Sequence, residues 1–230
     1  NIWMGIDRMK SDEVFFPLEP LYKRKGIGYK QAKVISFHPE GDATETKGFV
    51  TIEYIFGKNA GVQEKVNYDY LINATGPKLA FELTEGLNPG TNKAYSVCTY
   101  EHAAHASEAL LKLIGDIKTS DKKAKILIGT GHAKATCQGA AFEYILNVEK
   151  ELVRYGVRDK IELTWISNEN ELGDFGMDGM LLTYGNQTLK SSELVEMVFA
   201  DHGIKWILGA GVFKIDEGKA HYENLEGEYK

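Results

Sequence analysis

The chain is organised around the stretch Tyr68-Asp-Tyr-Leu-Ile-Asn-Ala-Thr-Gly-Pro-Lys-Leu-Ala-Phe81. The residues from Asp69 to Ala74 predict a strand. Gly76 and Pro77 predict its end, because both residue types interrupt a sheet ladder. Glycine also lets another group come close to the main chain. The stretch therefore predicts a strand that ends where a ligand can approach the backbone.

A second stretch, Tyr95-Ser-Val-Cys-Thr-Tyr-Glu-His102, places Cys98 just before a predicted helix. Thr99 is the expected N-cap, because its hydroxyl can accept a backbone N–H of the first turn. One apolar face follows at helical spacing, made of Ala103, Ala106, Leu110, Leu113, Ile114 and Ile117. A thiol at a helix N-terminus meets the positive end of the dipole, which favours the nucleophilic thiolate. The position of Cys98 thus suits sulfur chemistry.

Composition sets the first limits on function. The chain has 230 residues, of which 43% are hydrophobic and 26% charged, so it can build a core. Its net charge of −6 argues against a nucleic-acid surface and gives no attraction to anionic lipid. Two cysteines are too few for a disulfide framework, and the default expectation is two reduced, buried thiols. The sequence contains no run of about 18 apolar residues, so it predicts no transmembrane helix. No signal peptide is visible.

The second half of the chain predicts a βαβ unit of the dinucleotide-binding type. A buried strand at 125–129 leads into a glycine-containing turn, a helix to about Tyr155 and a strand at 161–166. The phosphate-binding fingerprint needs three glycines at fixed offsets. Gly129 and Gly131 match the first two, but Lys134 stands at the third. This departure argues against tight NAD binding.

The run from Tyr68 to Phe81, followed by Ser-Val-Cys-Thr-x-x-His-Ala, resembles sulfide:quinone oxidoreductase, a family related to flavocytochrome c sulfide dehydrogenase and type II NADH dehydrogenase. The resemblance extends from Asn1 to about Glu223. It implies an α/β, Rossmann-like FAD/NAD(P)-binding flavoprotein fold of the two-domain disulfide-reductase type. Residues 1–119 are then a partial FAD-binding domain without the N-terminal glycine-rich motif, and residues 123–225 a second Rossmann-like domain. We therefore expect an internal fragment of a longer enzyme.

The resemblance also implies roles for individual residues. Cys98 is expected to receive sulfide sulfur and to pass two electrons to FAD, which then reduces a quinone. Its partner cysteine is expected outside this sequence. The residues expected to contact FAD are Val34, through its backbone at the adenine, and Ala74, Thr75, Gly76 and Lys78. For Lys78 a place on the solvated surface is an equal alternative.

Other polar residues receive more ordinary interpretations. We favour a structural role for Cys137, because its turn should face the second nucleotide-like site. Glu101 and His102 lie near enough to Cys98 to relay protons, but a solvated first helical turn is favoured. Glu169, Glu171 and Asp174 predict a flexible acidic loop rather than a metal site, and no metal is expected.

The expected cofactor is FAD in the longer enzyme, not retained by this fragment. The expected partners are sulfide and quinone, and no nucleic acid is expected. The longer enzyme would reach a membrane surface through parts outside this sequence, and a homo-oligomer is left open. The longer enzyme would be cytoplasmic or peripheral to a membrane, and the fragment soluble. One alternative is a type II NADH:quinone oxidoreductase. Another is a non-catalytic nucleotide-binding module, in which residues 125–223 bind adenine nucleotide without flavin.

Overall fold

A computed structural model describes residues 1–91 and 93–230. The helices are α1 (Ser11–Val14), α2 (Leu18–Arg24), α3 (Tyr100–Lys118), α4 (Gln138–Arg154) and α5 (Ser191–Asp201). The strands are β1 (Ala32–His38), β2 (Phe49–Tyr54), β3 (Gln63–Asn67), β4 (Ala124–Thr130), β5 (Ile161–Ser167), β6 (Leu181–Tyr184), β7 (Gln187–Lys190), β8 (Lys205–Ile207), β9 (Gly211–Asp216) and β10 (Lys219–Glu223). Short 3-10 helices occur at Met4–Ile6, Gly57–Asn59, Phe81–Leu83 and Arg158–Lys160. No described helix is both long and apolar enough to cross a bilayer.

The chain divides into two compact units. The smaller unit is Phe15–Leu79, and the larger unit combines Asn1–Val14 with Ala80–Lys230. The boundary predicted between residues 119 and 123 falls inside the larger unit, because α3 shares a hydrophobic core with α4 and β5. The division into a FAD-binding part, 1–119, and a second Rossmann-like part, 123–225, stays a prediction.

The smaller unit is built on a three-stranded antiparallel sheet in the order β1-β2-β3. Strand β2 pairs with β3 in continuous register from Phe49 opposite Asn67 to Glu53 opposite Gln63. The central strand β2 carries the buried side chains, led by the fully buried Phe49. Because β1 lies at an edge of this sheet, half of its backbone groups point away from β2.

The predicted strand from Asp69 to Ala74 is not formed. The chain has no regular secondary structure from 68 to 80, and residues 71–80 are all exposed. Tyr70 and Ile72 keep 94% and 89% of their surface. A strand is stable only against a partner that takes up its backbone hydrogen bonds. None of the described strands pairs with this segment, so its apolar pattern alone does not produce a strand.

The larger unit contains the predicted βαβ unit. Strands β4, β5 and β8 form a parallel sheet in that order, with Ala124 opposite Ile161 and Thr164 opposite Lys205. Helix α4 crosses from β4 to β5 and buries Ile145, Val148 and Leu152 on the face that the 3.6-residue period predicts. Parallel strands need such a crossover, because a tight turn cannot reverse the chain direction twice.

Aromatic side chains fill the core between this sheet and α5. Trp165 of β5 and Phe199 of α5 are both buried, and their rings meet edge to face with 5.9 Å between the ring centroids. Phe142 of α4 packs against Phe199 at 5.6 Å. Burial of each large apolar side chain stabilises the fold by about 1.5–3 kcal/mol. This core fixes the orientation of α4, which begins where the glycine turn after β4 ends.

Two hairpins follow β5. The hairpin β9–β10 turns at Glu217-Gly218, and both turn residues have positive φ, 44° and 76°. The hairpin β6–β7 was not predicted from the sequence. Its signal is the two-residue turn Gly185-Asn186 between short β-prone segments.

Candidate functional site

Cys98 lies two residues before α3, as predicted. Thr99 is the N-cap, and its Oγ1 accepts the backbone N–H of His102 at 3.2 Å. The N–H of Cys98 donates to Ser96 Oγ at 3.1 Å. The thiol is free and exposed, which corrects the default expectation of a buried cysteine. The sequence thus places an accessible thiol beside the N-terminal end of a 19-residue helix.

The first turn of α3 contains two titratable neighbours of Cys98. A hydrogen bond from Tyr100 is the main cause that lowers the pKa of the exposed Glu101, so its carboxylate stays ionised at neutral pH. His102 is half-buried, and its ring meets Phe81 edge-on at 5.3 Å. Its Nδ1 is buried without a partner in the described chain. The solvated first turn that we expected is therefore right for Glu101 and wrong for His102.

The predicted FAD contacts lie in the smaller unit, whereas Cys98 lies in the larger one. Val34 is a half-buried residue of the edge strand β1, paired with Ile52, and the register shifts directly after it. An edge strand has backbone groups available to a ligand, which fits the expected contact with an adenine ring.

The segment Ala74–Lys78 is exposed throughout. The N–H and hydroxyl of Thr75 both point to Asn73 Oδ1, at 3.3 and 2.9 Å. Gly76 has φ 75°, and no atom lies within 4 Å of the place where a side chain would begin. The open space beside Gly76 is what a cofactor needs to approach the main chain. The segment fits the expected FAD contact, although it does so as an irregular loop.

The glycine turn after β4 serves the packing of the protein itself. A Cβ on Gly129 would lie 1.8 Å from the backbone oxygen of Ile166, and one on Gly131 would lie 2.4 Å from Val212 Cγ2. The carbonyl of Gly131 also accepts the N–H of Val212 at 2.7 Å. Both glycines are therefore required by neighbouring strands, whether or not a nucleotide binds.

The loop between Gly131 and α4 differs from a dinucleotide-binding turn. In the fingerprint the helix follows the glycines directly, but α4 begins only at Gln138. Asn168 Nδ2 donates to the carbonyls of Ala133 and Ala135, each at 3.2 Å, and so fixes the loop to the end of β5. Lys134 is exposed within this loop. The turn does not offer the close glycine-to-helix geometry that holds a pyrophosphate.

Cys137 occupies the N-cap position of α4. Its side chain makes no capping hydrogen bond, and the thiol is free and exposed. The structural role favoured for Cys137 stays a prediction. The two cysteines thus share one arrangement, an exposed thiol beside the N-terminus of a long helix.

The acidic segment after β5 is more ordered than expected. Asp174 Oδ1 accepts the N–H groups of Met177 and Asp178 at 3.1 and 3.0 Å. Glu169 is buried, and Ser167 Oγ donates to its Oε2 at 2.8 Å. Burial is the main cause that raises the pKa of Glu169 above its usual value. These carboxylates stabilise the loop, and no group of three metal-binding side chains occurs in the described chain.

The parallel βαβ unit and the similarity to solved structures define the class: an α/β, Rossmann-like fold of the FAD/NAD(P)-binding flavoprotein type, which confirms the predicted fold class. The chain is 32% identical over 218 residues to a sulfide-quinone reductase of Aquifex aeolicus (strain VF5), covering 95% of this chain and 43% of that protein. The resemblance to sulfide:quinone oxidoreductase is thereby confirmed.

Solved structures agree with this similarity. The crystal structure of the sulfide:quinone oxidoreductase from Aquifex aeolicus matches with a TM-score of 0.74 at 30% identity, over 100% of this chain and 46% of that chain. A NAD-dependent persulfide reductase from A. fulgidus shares the fold, with a TM-score of 0.51 at 17% identity over 99% of this chain and 35% of that chain. No family model matches the chain. The chain spans less than half the length of these relatives.

Proposed function

We propose that this chain is part of a flavoprotein that oxidises sulfide and passes electrons through FAD to a membrane quinone, with Cys98 as a redox cysteine. The observation that carries the proposal is the 32% identity to a sulfide-quinone reductase over 95% of the chain. The exposed position of the Cys98 thiol supports it, because a sulfur nucleophile must be reachable by its substrate.

In this proposal the sulfur of Cys98 bonds to sulfide sulfur, whose S–H bond breaks with release of a proton and two electrons. FAD, when bound, would supply the two-electron acceptor between this sulfur and the quinone, and the quinone would take up two protons with the two electrons. Val34, Ala74, Thr75, Gly76 and Lys78 contribute the contacts of the smaller unit to FAD. The exposure of 74–78 and the open space at Gly76 support this assignment.

The glycine turn after β4 gives less support to the alternative of an NADH:quinone oxidoreductase. Lys134 stands where the fingerprint has a glycine, and α4 begins seven residues after Gly131. The side-chain amide of Asn168 also donates hydrogen bonds to two backbone carbonyls of the loop between them. A dehydrogenase that takes a hydride from NADH needs a well-formed pyrophosphate site at this position.

The test is a pair of substitutions in the longer enzyme expected from the sequence. Cys98→Ser removes the nucleophile and changes the volume little, so it should abolish sulfide-driven quinone reduction while the fold is retained. Cys137→Ser is the matched control, and it should keep substantial activity because we favour a structural role for Cys137 at the start of α4. If Cys98→Ser retains full turnover with sulfide, the proposed role of Cys98 is wrong.

A further inference from the structure

We infer that residues 1–8 form a clamp that fixes the start of α3, and with it Cys98, against α4, with Tyr144 as the main positioning residue. The inference deepens the proposed function, since it concerns how the redox thiol is held. It rests on contacts at both ends of the segment, all of them within the larger unit.

At the α3 end, the clamp contacts the backbone next to the thiol. Asn1 Nδ2 donates to the carbonyl of Cys98 at 3.1 Å, and the carbonyl of Asn1 accepts the N–H of Gly5 at 2.9 Å. Both hydrogen bonds that reach Cys98 in the described chain involve its backbone, one from Asn1 and one to Ser96. The direction of the exposed thiol therefore depends on how firmly this backbone is held.

In the middle of the clamp, Gly5 packs between the residues just before α3 and the side of α4. A Cβ on Gly5 would lie 2.9 Å from Val97 Cγ1, which precedes Cys98, and 3.0 Å from the Tyr144 ring. Tyr144 of α4 donates its hydroxyl hydrogen to the carbonyl of Gly5 at 3.1 Å. Burial raises the pKa of Tyr144 to about 12, so the hydroxyl keeps its proton and remains a donor throughout the neutral range.

At the far end, the clamp is anchored by a buried carboxylate. Glu151 of α4 is 2% exposed, and Arg8 Nε donates to its Oε1 at 2.5 Å. Arg154 Nε donates to the other oxygen, Oε2, at 2.7 Å. A buried carboxylate with two guanidinium partners is costly to disrupt, because any remaining unpaired charge would be desolvated. Arg8 is thus held to α4, which anchors the C-terminal end of the clamp.

The clamp is tested on the full 230-residue chain carrying Cys137→Ser, so that Cys98 is the single thiol. A trifluoromethyl probe is attached to Cys98, and its fluorine NMR spectrum is recorded together with amide exchange at residues 98–103. Tyr144→Phe removes only the hydroxyl that holds Gly5. We expect the single fluorine line to split or broaden and amide exchange at 98–103 to become about fivefold faster, as for the loss of one hydrogen bond.

Tyr184→Phe is the matched control, because Tyr184 is 91% exposed on β6 and far from the clamp in sequence. If Tyr144→Phe does not fold, Asn1→Ala replaces it, since Asn1 is exposed and acts on the Cys98 carbonyl directly. An unchanged fluorine line in the folded variant, or equal broadening in Tyr184→Phe, would overturn the inference. The assay uses no flavin, sulfide or quinone, so its failure is distinct from failure of the proposed function.

Discussion

The packing of the glycine turn after β4 can be measured with a double-mutant cycle between Gly131 and Val212. Gly131 has no positive φ, so alanine fits its backbone and the cost of Gly131→Ala comes from steric overlap alone. The new Cβ would lie 2.4 Å from Val212 Cγ2. Overpacking of this kind costs about 1–3 kcal/mol. Val212→Ala alone costs about 2 kcal/mol, from two methyl groups at about 0.8 kcal/mol each and the cavity they leave.

In the double variant the overlapping methyl is gone, and the nearest atom left to the new Cβ is the Cβ of residue 212, at 3.3 Å. We therefore expect a total cost of about 2 kcal/mol, which is about 1–3 kcal/mol less than the sum of the two single costs. Urea unfolding followed by tryptophan fluorescence gives each free energy, since Trp3, Trp165 and Trp206 all belong to the larger unit.

The control for this cycle is Gly115→Ala in the last turn of α3. No atom lies within 4 Å of its Cβ position, so the substitution should stabilise the chain by about 0.5–1 kcal/mol. Strictly additive costs for Gly131→Ala and Val212→Ala would refute the claim that this glycine is required for packing against β9.

Three further predictions concern ligands and pH. The 230-residue chain purified alone should be colourless, because its sequence has no Gly-x-Gly-x-x-Gly turn ahead of Val34 to hold the FAD pyrophosphate; absorbance near the flavin bands checks this. Calorimetric titration with NADH should give no micromolar binding, because Lys134 and Asn168 alter the second turn. The raised pKa of Glu169 means that the folded state favours the neutral carboxyl. The contribution of Glu169 to the free energy of unfolding is therefore complete below the ordinary glutamate pKa of 4.5, and it is lost as the pH rises through the raised pKa. Unfolding curves of Glu169→Gln should lack this loss, and an unchanged pH profile would contradict it.

The sequence predicted most of the parallel unit because its elements carry their own signals. The apolar face of α3 and the buried face of α4 follow the helical period, and Thr99 caps α3 through its side chain as expected. The hairpin β9–β10 was marked by Glu217-Gly218, whose positive φ angles only a few residue types favour. Local chemistry alone determines such features.

The errors occurred where structure depends on partners distant in sequence. The apolar pattern of 69–74 cannot reveal whether another strand accepts its hydrogen bonds, and none of the described strands does. The hairpin β6–β7 was obscured by the glycine-rich segment before it. Exposure of Cys137 likewise depends on which elements cover the start of α4. The buried anchor of Arg8 on Glu151 joins residues 143 positions apart, and no local pattern predicts it.

The most direct test of the proposed function is the visible spectrum of the longer enzyme, purified with its flavin, under anaerobic conditions. Sulfide should bleach the flavin absorbance within mixing time, and added quinone should restore it, because sulfur at Cys98 is the proposed electron donor. NADH at the same concentration should leave the spectrum unchanged. Bleaching by NADH and not by sulfide would contradict the account and favour the dehydrogenase alternative.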